Sequence, residues 1–312
     1  MISFEHVGKR YGAGPPAVGD LSFEVSDGEI CVLVGPSGCG KTTSLKMINR
    51  LVEPTSGTIR IDGRDTATVD VDVLRRGIGY VIQQIGLFPH LTVAENVATV
   101  PRLLHWDRRR ARARVDELLE LVELPAAEFA QRLPGELSGG QQQRVGVARA
   151  LGADPPILLM DEPFGAVDPI SRERLQDELR RLQGVVRKTI VFVTHDIDEA
   201  IKLGDRIVLL NVGGVLAQHA APADLLAHPA SPFVESFLGG SRMVRRLGLV
   251  QLRGLALTAD GGVSPTVAVD IGATLREALD AVLRAPDGRA AVTDAGRMVG
   301  VLDTEAIRRA AQ

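Results

Sequence analysis

Gly35-Pro36-Ser37-Gly38-Cys39-Gly40-Lys41-Thr42 decides the fold. These residues read G-x-x-x-x-G-K-[ST], the spacing of a loop that cradles phosphate groups. Ile30 to Val34, just before it, is a short apolar, β-branched run, which predicts a buried strand. After it, Leu45, Ile48, Leu51 and Val52 recur at helical spacing and predict a helix from Lys41 to Val52. A loop held between a strand and a helix places the chain in the α/β class. Glycines let the backbone bend so that successive N–H groups point at phosphate oxygens. The helix start adds the positive end of a dipole. Lys41 is placed to reach the outer phosphates of a nucleotide, and the Thr42 hydroxyl to ligate Mg²⁺.

The 312 residues suffice for one large domain plus a small one, or for two medium ones. Hydrophobic content of 45% and charged content of 24% are ordinary for a soluble globular chain. A formal net charge of −3 provides no global field favouring nucleic acid or an acidic membrane. There is no run of 18 apolar residues, and the segment Met1 to His6 does not read as a signal peptide. The expectation is a cytosolic protein unless a partner holds it at a membrane. The two cysteines, Cys31 and Cys39, lie in the strand and the loop without metal-site spacing, so neither a disulfide nor a metal site is expected. Loop amides and the Lys41 charge predict that Cys39 favours the thiolate.

Outward from the loop, other stretches bring polar groups to the ends of apolar runs. Ile2 to Val7 and Leu21 to Val25 alternate as strands, with Tyr11 between them. Tyr11 either stacks on a base or packs half-buried. Gly77 to Ile82 reads as a strand running into Gln83. Ile85-Gly86-Leu87-Phe88-Pro89-His90 is an apolar loop, suited to a protein contact or to local packing. Thr92 and Glu95 fit a capping box. Ala111, Val115, Leu118, Leu119 and Val122 form one helix face, and the arginines from Arg108 to Arg114 favour a solvated opposite face over a nucleic-acid surface. Ser138-Gly139-Gly140-Gln141 opens a helix as a second anion-binding turn. Ile157 to Met160 predicts a buried strand ending at Asp161 and Glu162, and Thr189 to Thr194 another ending at His195. Ligands of parallel α/β sheets bind at such C-terminal strand ends.

At this point the chain resembles the ATP-binding subunits of ABC transporters, over residues 2 to about 238. The phosphate loop at 35–42, the glutamine Gln83, the signature Leu137-Ser138-Gly139-Gly140-Gln141, the pair Asp161-Glu162, the run Gly165-Ala166-Val167-Asp168 and His195 follow in the family's order. The fold implied is a P-loop nucleotide-binding domain with a helical subdomain at about 88–152. The resemblance implies a homodimer in which the signature of one subunit closes over ATP held by the other. In that arrangement Tyr11 stacks on adenine, while Gly35, Ser37, Gly38, Cys39, Gly40, Lys41, Thr42 and Thr43 hold the phosphates. Thr42, Gln83 and Asp161 reach Mg²⁺. Glu162 is the general base, and His195 stabilises the transferring phosphoryl group. Ser138, Gly139, Gly140 and Gln141 approach the γ-phosphate across the dimer, near Asp168.

Closer similarity is to the glycine betaine, proline and choline uptake ATPases, through Lys46 to Leu51, Val81 to His90, Phe164 to Pro169 and Thr194 to Ala200. Gly165 stands where many ABC subunits carry serine, a variant that suits this subfamily. The implied role is ATP hydrolysis that drives osmoprotectant import at the cytoplasmic face of the membrane, with permease subunits and an extracytoplasmic substrate-binding protein as partners and no nucleic acid. Import of another small solute, such as an amino acid or an organic anion, is the alternative, and a non-transport ABC ATPase comes after it. Residues 239–264 read as a linker, and 265–312 as a small α+β unit. Its β-α-β-β-α order resembles one CBS motif where those ATPases usually carry two. The helix face Leu275, Leu279, Val282 and Leu283 needs cover, so the two subunits are expected to pair these units across their two-fold axis.

Overall fold

The computed structural model describes residues 1–82, 86–165, 167–255 and 266–310. The chain divides into two compact units, Met1–Pro222 and Ala223–Gln312. Residues 223–238, read from sequence with the first domain, therefore fall on the C-terminal side of the division.

In chain order the first unit contains β1 (Ile2–Arg10), β2 (Pro16–Val25), β3 (Ile30–Val34), α1 (Lys41–Ile48), β4 (Ser56–Ile61), β5 (Arg64–Asp65), α2 (Val71–Arg76) and β6 (Ile78–Val81). It continues with α3 (Val93–Val97), α4 (Thr99–Leu103), α5 (Arg108–Leu121), α6 (Ala126–Phe129), α7 (Gly139–Leu151) and β7 (Ile157–Asp161). Then follow α8 (Pro169–Val186), β8 (Thr189–Val193), α9 (Ile197–Leu203), β9 (Arg206–Asn211) and β10 (Val215–Ala220). A six-stranded sheet runs β10-β9-β3-β8-β7-β6, parallel except for the antiparallel edge strand β10. A four-stranded antiparallel sheet runs β2-β1-β4-β5.

Every residue of β3, β7 and β8 is buried. That explains their unbroken apolar runs, since a central parallel strand is covered on both faces. The antiparallel sheet alternates instead. Phe4 and Phe23 stack at 4.5 Å and join Leu33, Leu45, Ile48 and Val191 in one core between the sheets. The helix after the phosphate loop is shorter than its periodicity predicts. It ends at Ile48 because Arg50 turns left-handed, and the N–H groups of Leu51 and Val52 fold back onto the Lys46 carbonyl. Leu51 is consequently exposed.

Helices α3 to α7 build the helical subdomain. Asp107 caps α5, whose buried Ala111, Val115, Leu118 and Leu119 match the predicted stripe, while Arg108, Arg109, Arg110 and Arg112 are exposed. Helix α7 meets α8 through an ion pair between half-buried Arg144 and buried Glu178, Nε to Oε2 at 3.1 Å. The Thr92–Glu95 capping box forms as predicted. Beside it, fully buried Asn96 accepts the Phe88 N–H at 2.8 Å and donates to the carbonyls of Phe88, Leu91 and Thr92. That one amide side chain fixes the backbone of the apolar loop and leaves the Phe88 ring exposed.

Helix α10 (Pro222–Ala227) begins at the division, and the second unit continues with α11 (Pro232–Leu238), α12 (Arg242–Leu247), β11 (Ala268–Asp270), α13 (Leu275–Arg284), β12 (Arg289–Asp294), β13 (Arg297–Asp303) and α14 (Thr304–Ala310). The predicted β-α-β-β-α order is present, with the Thr274–Glu277 capping box. Residues 239–255 are not a bare linker, because Leu247 and Leu252 are buried against Leu275, Ala278, Val282, Leu302 and Ile307. The α13 face therefore has its cover within the same unit, which removes the reason for expecting a second copy on it. Leu283, counted in that face from sequence, is 72% exposed.

The Asn96 amide supplies a prediction. Asn96→Ala leaves the Phe88 N–H and three carbonyls without their partner, which costs about 2 kcal/mol. The urea midpoint should fall, and the Phe88 amide should exchange faster with solvent. Unchanged exchange at Phe88 would show that the loop is held by other contacts.

Candidate functional site

Strand order brings the predicted groups together. β8 lies between β3 and β7, and the three strands run parallel, so their C-terminal ends emerge side by side. The phosphate loop leaves β3, Asp161 closes β7, and Thr194-His195 follow β8. Two backbone bonds lock the ends in register, Thr194 N–H to the Leu33 carbonyl at 3.2 Å and Glu162 N–H to the Val193 carbonyl at 2.9 Å.

The loop bends where only glycine fits. A Cβ on Gly35 would lie 2.3 Å from the Leu210 carbonyl oxygen, and one on Gly40 2.5 Å from that of Ala17, with Gly40 at φ 96°. Lys41 is 7% exposed, and its Nζ folds back to donate to the Gly35 carbonyl at 2.8 Å and the Pro36 carbonyl at 3.0 Å. Ser37 and Gly38 are exposed, Thr42 and Thr43 half-buried. Cys39 departs from expectation. Its side chain is fully buried, and that burial pushes the thiol pKa up, against a smaller opposite pull from Lys41. Cys39 is a core thiol whose backbone serves the loop, not a reactive thiolate.

The Thr42 hydroxyl donates to Asp161 Oδ1 at 2.9 Å. Asp161 is buried, and desolvation pushes its carboxyl above the usual aspartate range, opposed by the Thr42 hydrogen bond and then by Lys46. Glu162 takes a left-handed φ of 45°, unusual for a side chain of its size and typical of functional turns. That turn sets its Oε1 3.3 Å from His195 Nδ1. Carboxylate and imidazole thus meet at the mouth of the strand ends, with the histidine ring well exposed.

Among the remaining predicted residues, Ser138, Gly139, Asp168 and Tyr11 are exposed, and Gly140 and Gln141 are half-buried. Ser138 caps α7, accepting the Gln141 N–H at 3.3 Å, while its own N–H donates to Gln141 Oε1 at 2.9 Å. Ser138 and Gly139 are exposed, and a Cβ on Gly139 or Gly140 would meet nothing within 4 Å. Asp168 caps α8 through the Ser171 N–H, and that bond holds its carboxyl below the usual range. Tyr11 is 55% exposed, with the Lys9 ammonium 5.1 Å from its ring centre. The half-buried packing role that its sequence position favoured is not what the fold gives it. Gln83 lies outside the described residues. Sequence reading missed Asn96 and the α7 residue Arg149, which donates to the Gly86 carbonyl and so joins the signature helix to the apolar loop. An arginine in the last turn of a helix carries no signal of that contact.

The donor set decides which groups the site suits. Among the described residues no cluster of three or more His, Cys, Asp or Glu converges on one point. Thr42 and Asp161 supply two hard oxygens, short of the six that Mg²⁺ requires, so a cation here needs phosphate oxygens and water to complete its shell. A ring of loop amides, a buried lysine ammonium and a desolvated carboxylate fit a nucleotide bound together with such a cation.

A family model described as ABC transporter matches residues 18–165. The glycine betaine uptake system ATP-binding protein YehX of Escherichia coli is 52% identical over 256 residues, covering 82% of each chain. The osmoprotectant import ATP-binding protein OsmV of Salmonella typhimurium is 55% identical over 254 residues, 80% of this chain and 66% of that one. The chain thus spans about two thirds of the length of that relative. Among solved structures, the dimeric structure of MJ0796, a bacterial ABC transporter cassette, superposes with a TM-score of 0.64 at 38% identity, covering 71% of this chain and 99% of that one.

Asp161 supplies the prediction of this site. Its folded pKa is raised, so its contribution to stability is fully present only below the unfolded value and is lost as pH rises through the folded value. At neutral pH the ionised carboxylate therefore carries a desolvation cost. Asp161→Asn removes the charge and keeps an oxygen for the Thr42 hydroxyl. The nucleotide-free variant should unfold at or above the wild-type midpoint at neutral pH, and the gap should close toward about pH 4. A variant less stable than wild type at neutral pH would contradict this reading.

Proposed function

The chain belongs to the ABC transporter family, among its ATP-binding proteins, and on that premise we propose that it hydrolyses ATP with Mg²⁺ to drive import of a quaternary ammonium osmoprotectant of the glycine betaine, choline or proline class. The observation that carries the reading is the meeting of Lys41, Thr42, Asp161, Glu162 and His195 at three adjacent strand ends, in a chain more than half identical to importer ATP-binding proteins named for osmoprotectants and glycine betaine.

Each residue has a role that its geometry suits. Lys41 exchanges the Gly35 and Pro36 carbonyls for phosphate oxygens, while the amides of residues 35–43 cradle the phosphate chain. Thr42 and Asp161, with Gln83, hold the cation, which when bound neutralises charge on the phosphate oxygens. Glu162 accepts the proton of the attacking water, and His195 beside it holds the transferring group in place. Ser138, Gly139, Gly140 and Gln141 of a second copy present their helix start to the same phosphate, near Asp168. The exposure of Ser138 and Gly139 and the open space above Gly139 and Gly140 support a homodimeric site. Tyr11, more than half exposed, would stack on adenine.

The exposed Phe88 loop is read as the docking point for a membrane permease, which would hold the chain at the cytoplasmic face. An extracytoplasmic binding protein would deliver the solute. No helix among the described residues is long and apolar enough to cross a membrane, so attachment would come through the permease. The β-α-β-β-α order of the C-terminal unit supports its reading as a single CBS-like motif.

Two measurements test the reading. Glu162→Gln should bind ATP normally and lose about 10²-fold or more in turnover. Near wild-type hydrolysis would remove the general base from Glu162. Phe88→Asp should abolish solute uptake in membranes containing the permease while the isolated chain still hydrolyses ATP, and equal loss of both would assign the loop to local packing.

A further inference from the structure

Glu199 is a buried charge that the proposed chemistry leaves unused. It sits in the first turn of α9, 6% exposed, and gathers donors from two elements. Thr194 Oγ1 donates to its Oε2 at 2.6 Å. From α8, Gln176 Nε2 donates to Oε1 at 3.2 Å, and Arg172 Nε lies 3.9 Å from the same oxygen. Thr194 and Gln176 are themselves buried. Burying a carboxylate carries a desolvation penalty that its partners must offset, and an apolar side chain would fill the same space without it. Placement in the first turn of a helix explains an acid, but not a buried one.

The partners of Glu199 end at two loops of the site. Thr194 immediately precedes His195, and its hydroxyl oxygen also accepts the Asp196 N–H at 3.0 Å, so the backbone on either side of the histidine hangs on that hydroxyl. At the other end, the Arg172 Nη2 donates to the Val167 carbonyl at 3.1 Å, one residue before Asp168. A polar path therefore runs from the aspartate loop through Arg172, across a 3.9 Å ion-pair approach to Glu199, and on through Thr194 to His195.

We propose that Glu199 is a positioning residue that couples the Asp168 loop to His195, so that engagement of that loop by a second copy sets the imidazole beside Glu162. This rests on the ATPase reading above and adds to it the means by which two sites of a dimer sense one another. The polar path explains why a glutamate, a glutamine and a threonine are buried together beside a half-buried arginine.

The test is a double-mutant cycle on the full-length chain, reading kcat and the KM for ATP. Thr194→Val removes the hydroxyl at constant shape, and Arg172→Met cuts the other end of the path. Each should lower kcat about tenfold with KM for ATP changed less than about threefold, and Thr194→Ser should restore the wild-type rate. The double variant should be no slower than either single one, because both cut one path. Should Thr194→Val fail to fold, Glu199→Gln takes its place in the cycle with the same expectation. Unchanged kcat in the single variants, or losses that multiply to about a hundredfold in the double, overturns the coupling while leaving the ATPase reading intact. A wild-type chain that does not turn ATP over removes both.

Discussion

The parallel register of β3, β8 and β7 is the constraint on which the site depends. Because β8 is hydrogen-bonded on both edges, its C-terminal end can appear only between the phosphate loop and Asp161. His195 then needs no long-range guidance to reach Glu162. The completely buried side chains of these strands hold the register by close packing against the layers on both faces, which a slip of one residue would disrupt. The chemistry sits on loops, but the positions of those loops are set by the most deeply packed strands of the chain.

Around that frame the site stores unfavourable local terms. Asp161 is ionisable and desolvated, Glu162 sits at a left-handed backbone angle, and Lys41 is buried with its ammonium turned onto backbone carbonyls. A phosphate chain would draw the Lys41 ammonium off those carbonyls, and a cation would stabilise the ionised Asp161. The same accounting applies to α7. Its first residues have ordinary caps and open space above them, which suits a surface completed by another molecule.

Much of this was legible in the sequence, because its signals are local. The glycines of 35–40, the apolar runs ending in Asp161 and His195, and the Ser138, Thr92 and Thr274 caps each follow from neighbours within four residues. The long-range polar contacts were not legible. Nothing near Asn96 marks it as the clamp of the Phe88 loop, and Glu199 reads as one more acid on a short helix. Cys39 was misjudged because its sequence neighbours suggest an electropositive surface, whereas the fold places its sulfur in the core between the sheets. In the C-terminal unit the pattern yielded the element order but not the cover, since Leu247 and Leu252 come from a stretch that looks like a linker.

The central claim is that the phosphate loop of one chain and the Ser138 turn of another form one site. Sedimentation with bound ATP tests it most directly, comparing Glu162→Gln with Glu162→Gln/Ser138→Arg while ATP affinity is measured on each. The account predicts that both bind ATP with similar affinity, that the first sediments as a dimer, and that the second stays a monomer. Loss of ATP binding by the second variant, or a dimer that survives the arginine, would contradict it.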